Sequence, residues 1–346
     1  MPLQEPQLPP DGPCFLKPGD PGPLDTYLRE RRFLDPSERV IAADRAGEGN
    51  MNCVIRVRTD RRSLIVKQSR PWVEKYPQFA APWDRACREA EFYQIIAGIP
   101  GVADAMPRLL FSDPEARVLI LEDLGDSGDY SDLYRGGLLT GTDVDQFVAY
   151  LTALHNAHSG AGTAYPSMAN REMRELNHAH IFRIPLSNDN GLDLDSVEPG
   201  LQAAAAALKR DAAFVAAVER LGREVYLADG PCLLHGDFFP GSIVRTPAGP
   251  RVIDPEFCHF GRPEYDVAIL LAHLILAGQP GDLIARLGSQ YQAPGPFDEV
   301  LVVRLAGTEI MRRLIGYAQL RATWPADMRI HLLALARRMV LDGRAL

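Results

Sequence analysis

Apolar and polar positions follow two rhythms along the chain. Over 52–58 the apolar Cys53, Ile55 and Val57 alternate with other residues, and 63–67 is again apolar and β-branched. With Thr59-Asp60-Arg61-Arg62 between them, these stretches predict a strand, turn, strand unit. Over 84–96 the spacing becomes helical, through Ala86, Ala90, Tyr93 and Ile96, with Pro82 before and Gly98 after as boundary signals. Residues 117–122 (R-V-L-I-L-E) predict a further strand, and Asp123-Leu124-Gly125-Asp126 then shifts to turn composition, a connector between two lobes. Beyond it helical periodicity dominates, over 142–155, 203–227, 265–277, 300–321 and 327–342, interrupted by a single hairpin over 241–253. The expectation is an α+β chain in three parts. A proline-rich tail covers 1–23, a small lobe with an antiparallel sheet and one helix covers 24–125, and a larger, mainly helical lobe covers 126–346.

Composition narrows the classes of function. With 346 residues, 46% of them hydrophobic and 24% charged, the chain has the balance of an ordinary globular protein. A net charge of -8 without a long basic run argues against nucleic acid and anionic membrane as partners. The apolar run 267–277 is broken by His273 and falls short of the roughly 20 residues that span a bilayer, so it reads as a buried helix. The five cysteines are scattered, odd in number and form no C-x-x-C pair, so they suggest neither a zinc site nor a disulfide framework and read as free thiols in a reducing, cytoplasmic setting. No signal-peptide pattern opens the sequence.

Chemistry concentrates in two tripeptides, His235-Gly236-Asp237 and Asp254-Pro255-Glu256. Each alone is commonplace. Joined by a hairpin whose outer ends must be adjacent, they bring Asp237 close to Asp254. An extended Asp254-Pro255-Glu256, favoured by Pro255, would turn both carboxylates the same way, as a site for a hard cation requires. Phosphoryl transfer needs such a site for Mg²⁺ and a separate carboxylate to orient the attacking hydroxyl, a role for Asp237. Asp266 either caps the apolar helix that follows it or holds the catalytic loop by backbone hydrogen bonds, and capping is favoured. In the first lobe, Lys67 ends an apolar strand and Glu89 sits on the helix beyond. The pair either contacts nucleotide phosphates, or comprises a solvated lysine and a surface ion pair of Glu89 with Arg85. Gly47-Glu48-Gly49-Asn50 lacks the lysine of a P-loop, yet Gly49 and Asn50 suit a loop that covers phosphates.

These residues resemble the aminoglycoside phosphotransferase and choline kinase group, of protein-kinase-like bilobal fold, and within it look most like the methylthioribose kinases. The resemblance runs from about Asp44 to about Ala318 and is sharpest in Gly241-Ser242-Ile243, in Val252-Ile253-Asp254-Pro255-Glu256-Phe257 and in Met311-Arg312-Arg313-Leu314-Ile315-Gly316. It implies ATP and Mg²⁺ as cofactors. Gly49, Asn50, Lys67 and Glu89 would serve ATP, Glu122-Asp123-Leu124 would receive the adenine, and Asp254, Glu256 and Ser242 would serve the metal. Asp237, Arg312 and Arg313 would meet the acceptor and the transferring phosphate. Neighbouring helix positions point about 100° apart, which weighs toward a structural role for at least one of the two arginines. A planar fork that stays ionised, however, suits charge developing on phosphoryl oxygens, and the reading tilts toward function. Phe238-Phe239-Pro240 departs from the more polar stretch usual in the group, and adjacent phenylalanines more commonly pack than bind.

The function implied is transfer of the ATP γ-phosphoryl to the 1-hydroxyl of 5-methylthioribose or a related 5-substituted pentose, of methionine-salvage type. A kinase for another sugar, an amino alcohol or an aminoglycoside is the alternative within the enzyme class. A nucleotide-binding pseudokinase is the alternative outside it. The resemblance also makes a homodimer reasonable.

Overall fold

The computed structural model describes residues 15–47, 49, 51–126 and 128–344. The chain divides into two compact units, Met1–Gly98 with Met106–Asp126, and Ile99–Ala105 with Ser127–Leu346.

The first unit is built on a five-stranded antiparallel sheet. A helix, α1 (Pro21–Glu30), precedes strands β1 (Val40–Arg45), β2 (Cys53–Thr59) and β3 (Ser63–Gln68). A short pair, β4 (Trp72–Val73) and β5 (Tyr76–Ala80), then leads to helix α2 (Arg85–Ile96) and strands β6 (Leu109–Asp113) and β7 (Val118–Glu122). The sheet order is β1-β2-β3-β7-β6. Alternation does what the sequence predicts: Cys53, Ile55 and Val57 of β2 are buried, and they join Leu24, Leu28, Leu64 and Val66 in one core. Lys67, next to Val66, therefore faces the other side of the sheet, where α2 presents Glu89. β1 and β6 were not anticipated. Neither has a clean apolar alternation, and each exists because it pairs with a stronger neighbour, β2 or β7.

The expected tail over 1–23 lies in part outside the described residues, and its described part is not without structure. Residues 1–14 lie outside the described residues, but Leu16 is buried and α1 begins at Pro21. Proline at a first helical position gives up no hydrogen bond, and Asp20 supplies the cap by accepting the Gly22 N–H at 3.0 Å.

The second unit is mainly helical: α3 (Gly141–Ala157), α4 (Arg171–His178), α5 (Leu201–Arg210) and α6 (Ala212–Arg220) precede its strands, and α7 (Glu264–Leu276), α8 (Gly281–Gln290), α9 (Glu299–Ile315) and α10 (Met328–Asp342) follow them. The strands are β8 (Cys232–Leu234), β9 (Ile243–Thr246), β10 (Gly249–Val252) and β11 (His259–Gly261). β9 and β10 form the anticipated hairpin, with Ile243 opposite Val252. It is not the single β element there, because β8 pairs with β11 as well. The long helix expected over 203–227 breaks at Asp211, whose carboxylate accepts the N–H groups of Ala213 and Phe214 and starts a new helix. The helix expected to reach residue 321 stops at Ile315, where Gly316 becomes extended. α7 packs along α9 and is buried nearly all round, carrying Asp266 and His273 into the interior. Among the described residues no helix is long and apolar enough to cross a membrane, and Cys53, Cys87, Cys232 and Cys258 are all free thiols.

Candidate active site

β8 delivers the chain to His235-Gly236-Asp237, and a buried carboxylate fixes the loop from behind. Asp266 accepts the N–H of His235 at 2.7 Å and that of Gly236 at 3.0 Å, while His155 Nε2 lies 3.2 Å from the same carboxylate. The favoured capping role is therefore corrected: α7 starts at Glu264, with Pro263 at the cap position and no side-chain cap, and Asp266 holds the loop. Burial pushes its pKa up, but hydrogen bonds and charge from His155 and His235 more than reverse this and hold it low. His155 is also tied by Nδ1 to the Tyr291 hydroxyl at 2.7 Å, so it is a structural residue. His235 is buried, and burial lowers its pKa. The neutral ring donates from Nε2 to the Ile253 carbonyl at 3.0 Å, and its Nδ1 accepts the Asp237 N–H at 3.3 Å.

The loop meets the second tripeptide through glycine. Gly236 has φ +85°, and a Cβ there would lie 2.2 Å from the Phe257 carbonyl oxygen, so the two loops are in backbone contact. Asn170 secures the far side, donating to the carbonyls of Glu256 at 3.1 Å and Cys258 at 2.9 Å. Asp254 is not extended as expected. It adopts φ 62°, ψ 52°, a left-handed conformation that is costly before proline, and Pro255–Phe257 is a turn of 3-10 helix. The argument that both side chains of an extended tripeptide share a face thus fails. Asp254 and Glu256 share one tight turn instead. Strain of this kind gathers at functional sites. Ser242 is buried, and its carbonyl accepts the N–H of Ile253, the residue before Asp254, at 2.9 Å across the base of the hairpin.

The donor set of Asp254, Glu256 and Ser242 is all oxygen and suits a hard cation that brings phosphate and water ligands of its own. No group of three or more His, Cys, Asp or Glu side chains among the described residues forms a self-sufficient metal cage. Magnesium carried on a nucleotide fits this pattern.

Both arginines of the tandem reach Asp237. Their Nη2 atoms lie 3.3 Å (Arg312) and 3.4 Å (Arg313) from Asp237 Oδ1. Glu309, three and four residues back, gathers both: Arg312 Nε meets Oε2 and Arg313 Nε meets Oε1, each at 2.6 Å. The 100° between neighbouring positions is absorbed by the length of the side chains. Arg313 also lies over the Phe239 ring at 4.4 Å. Phe238 is fully buried and stacks on Tyr150 at 5.4 Å, so of the two phenylalanines one packs and the other lines the arginine. Asp237 keeps 21% of its side-chain surface open. Burial raises its pKa, Arg313 and Arg312 pull it back, and the net direction is upward. Glu309, His273 and Tyr134, which join this cluster, were not singled out from the sequence.

In the first unit Lys67 and Glu89 form a buried ion pair at 2.6 Å. The alternative of a surface ion pair with Arg85 does not hold, since Arg85 and Glu89 are both buried. The Arg85 guanidinium holds Asn52 Oδ1 at 2.8 Å and the carbonyls of Met51 at 2.8 Å and Arg70 at 2.6 Å, staking down the chain that leaves the glycine-rich loop. In that loop Gly47, at φ +69°, has the left-handed backbone, while Gly49 does not; Asn50 lies outside the described residues. At the end of β7 the Glu122 N–H is used by the Arg108 carbonyl at 2.9 Å. Asp123 turns its carboxylate to Arg56 at 2.9 Å and to the Gly125 N–H at 3.0 Å, and Leu124 follows in irregular backbone.

Comparison with known proteins agrees with this architecture. A methylthioribose kinase of Exiguobacterium sibiricum is 28% identical over 256 residues, 69% of this chain and 62% of the relative. One from Geobacillus is 24% identical and covers 84% of this chain and 82% of its own length. The chain spans less than two thirds of the length of the first of these. Among solved structures, spectinomycin phosphotransferase in complex with ADP and spectinomycin superposes with a TM-score of 0.55 at 13% identity, over 95% of this chain and 100% of that one. Choline kinase from Streptococcus pneumoniae gives 0.53 at 14% identity, over 93% and 100%, so the two-unit α+β arrangement is the protein-kinase-like fold. Residues 43–300, which span the sheet of the first unit and the loops around Asp237 and Asp254, match the phosphotransferase enzyme family as a whole, and the chain belongs to that family.

Proposed function

We propose that this phosphotransferase moves the γ-phosphoryl of ATP to the 1-hydroxyl of 5-methylthioribose or a related 5-substituted pentose. The observation that carries the reading is the state of Asp237: one oxygen is approached by two buried guanidinium groups, and the residue stays partly open beside the turn that bears Asp254 and Glu256. Two arginines at that point favour a neutral sugar and a migrating phosphoryl group over a cationic amino alcohol or aminoglycoside. Relatives at 24–29% identity are methylthioribose kinases, which supports a pentose of this kind as the acceptor.

In this reading the acceptor hydroxyl binds Asp237 through the oxygen that the arginines leave open, and the carboxylate orients it and takes its proton. Arg312 and Arg313 stabilise negative charge as it spreads over the phosphoryl oxygens. Arg312 is ionised at every accessible pH, because Glu309 and Asp237 outweigh the burial that opposes its charge. Asp254, Glu256 and Ser242 hold Mg²⁺, which balances phosphate charge when bound. Lys67, fixed by Glu89, holds nucleotide phosphates together with Gly49 and Asn50, and the backbone of Glu122-Asp123-Leu124 receives the adenine.

A panel assay tests this. Purified protein with Mg-ATP is offered 5-methylthioribose, other 5-substituted riboses, ribose, choline and an aminoglycoside, and product is read by mass. Formation of the 1-phosphate of a 5-substituted pentose is expected. Turnover confined to a cationic acceptor, or none with any acceptor, overturns it, and in the latter case ATP binding without transfer identifies a pseudokinase.

A further inference from the structure

Behind the two arginines the buried polar chain continues. Glu309 offers Oε2 to Arg312 Nε and Oε1 to Arg313 Nε, both at 2.6 Å, which spends the inner nitrogen of each guanidinium. The outer Nη2 atoms are left converging on a single oxygen, Asp237 Oδ1. Glu309 itself is held from α7: His273 Nε2 lies 3.1 Å from its Oε1, and His273 Nδ1 lies 2.6 Å from the Tyr134 hydroxyl. An ionised carboxylate only accepts, so Nε2 carries the ring proton, Nδ1 accepts, and the tyrosine donates. Every link has one polarity. All three residues are buried, and the Phe239 ring closes the remaining side, between His273 at 5.2 Å and the Arg313 guanidinium at 4.4 Å.

We propose that Glu309 is a positioning residue that aims both arginines at one oxygen of Asp237, and that neutral His273, set by Tyr134, holds Glu309 in the rotamer that does so. The inference rests on the proposed function in one respect, that Asp237 receives the acceptor. Its consequence is that the second Asp237 oxygen is presented in a fixed direction. A displacement near 1 Å at a reacting group costs on the order of 100-fold in rate, so a chain of three unexposed side chains has leverage on turnover without touching substrate.

The test uses the 346-residue chain, four single variants and one double variant, with folded fraction checked by thermal melting and kcat and KM measured for the best acceptor of the panel and for ATP. Glu309→Gln replaces one accepting oxygen by a donor and releases one arginine; kcat is expected to fall about 100-fold with KM for ATP nearly unchanged. His273→Gln keeps an N–H for Glu309 and should retain most of the activity, whereas His273→Leu, of similar bulk, should lose about 30-fold in kcat. Tyr134→Phe should lose less, and combined with His273→Leu should add nothing to the loss, because the two act in series. If His273→Gln and His273→Leu lower kcat alike, or if Glu309→Gln lowers the melting temperature but not kcat, the inference falls and the kinase reading stands. A wild type inactive on every acceptor overturns both.

Discussion

Asp237 is held between opposing influences, and its titration should be visible in the kinetics. Burial raises its pKa, the two arginines lower it, and the negative charge of Glu309 raises it again, for a net upward direction. The ionised form is the one that orients a hydroxyl. kcat/KM should therefore fall as pH falls through a value above the ordinary aspartate range near 4. Removing the Glu309 charge should move this acid limb to lower pH, opposite to what general destabilisation by acid would do. A pH profile of wild type and Glu309→Gln checks the sign. Asp237→Asn should reduce transfer by about 10³-fold or more while leaving ATP affinity unchanged, as read by nucleotide titration against initial rates. At this scale the sequence was partly legible. Lys67 and Glu89 were singled out as a candidate pair from the order of glycine-rich loop, strands and helix, against a solvated lysine and a surface glutamate, and they meet at 2.6 Å. Glu309 was not, because a glutamate three and four residues before two arginines has the spacing of ordinary surface ion pairs. Only burial by α7 makes it different, and burial is a property of the packed unit.

Between the residues and the whole lie the turns that join elements, and there glycine and asparagine set the geometry. Gly236 combines a left-handed backbone with a 2.2 Å approach of any Cβ to the Phe257 carbonyl oxygen, so both sterics and dihedral forbid a side chain. Gly236→Ala should part the Asp237 loop from the Asp254 turn, lowering stability by about 2 kcal/mol and activity by much more than that loss of folded protein explains. Chemical denaturation alongside kcat separates the two effects. Helix spacing predicted most helices of the second unit, and their ends were missed where a single residue intervenes, as at Asp211 and Gly316. Asp254 shows the limit of local rules: the preference of a residue before proline is extended, yet the Asn170 clamp and the backbone contact at Gly236 accompany a left-handed one.

For the molecule as a whole, acid should act through histidines kept neutral. Burial lowers both His259 and His273 to about 4. The unfolded chain takes up these protons near pH 6.5, so between there and about 4 it binds more protons than the folded one, and stability is lost as pH falls. Each histidine contributes a slope of at most about 1.4 kcal/mol per pH unit in that window. Melting temperature measured from pH 7 to 4.5 should fall, and less steeply in His259→Gln than in wild type. The antiparallel sheet and the helical unit were visible in the alternation and periodicity of the sequence; the start of the first unit was not. Proline density over 1–23 was read as a tail, though Leu16 is anchored there by Gln68 at 2.9 Å and Arg70 at 2.6 Å. Gln68 follows Lys67 directly on β3, so the anchor ends one residue from the lysine proposed to hold nucleotide phosphates. Trimming the protein to residue 24 should thus behave as an active-site lesion at a distance: Gln68 loses the Leu16 N–H, the core beneath β3 loses a leucine, and weakened ATP affinity should accompany the lower melting temperature.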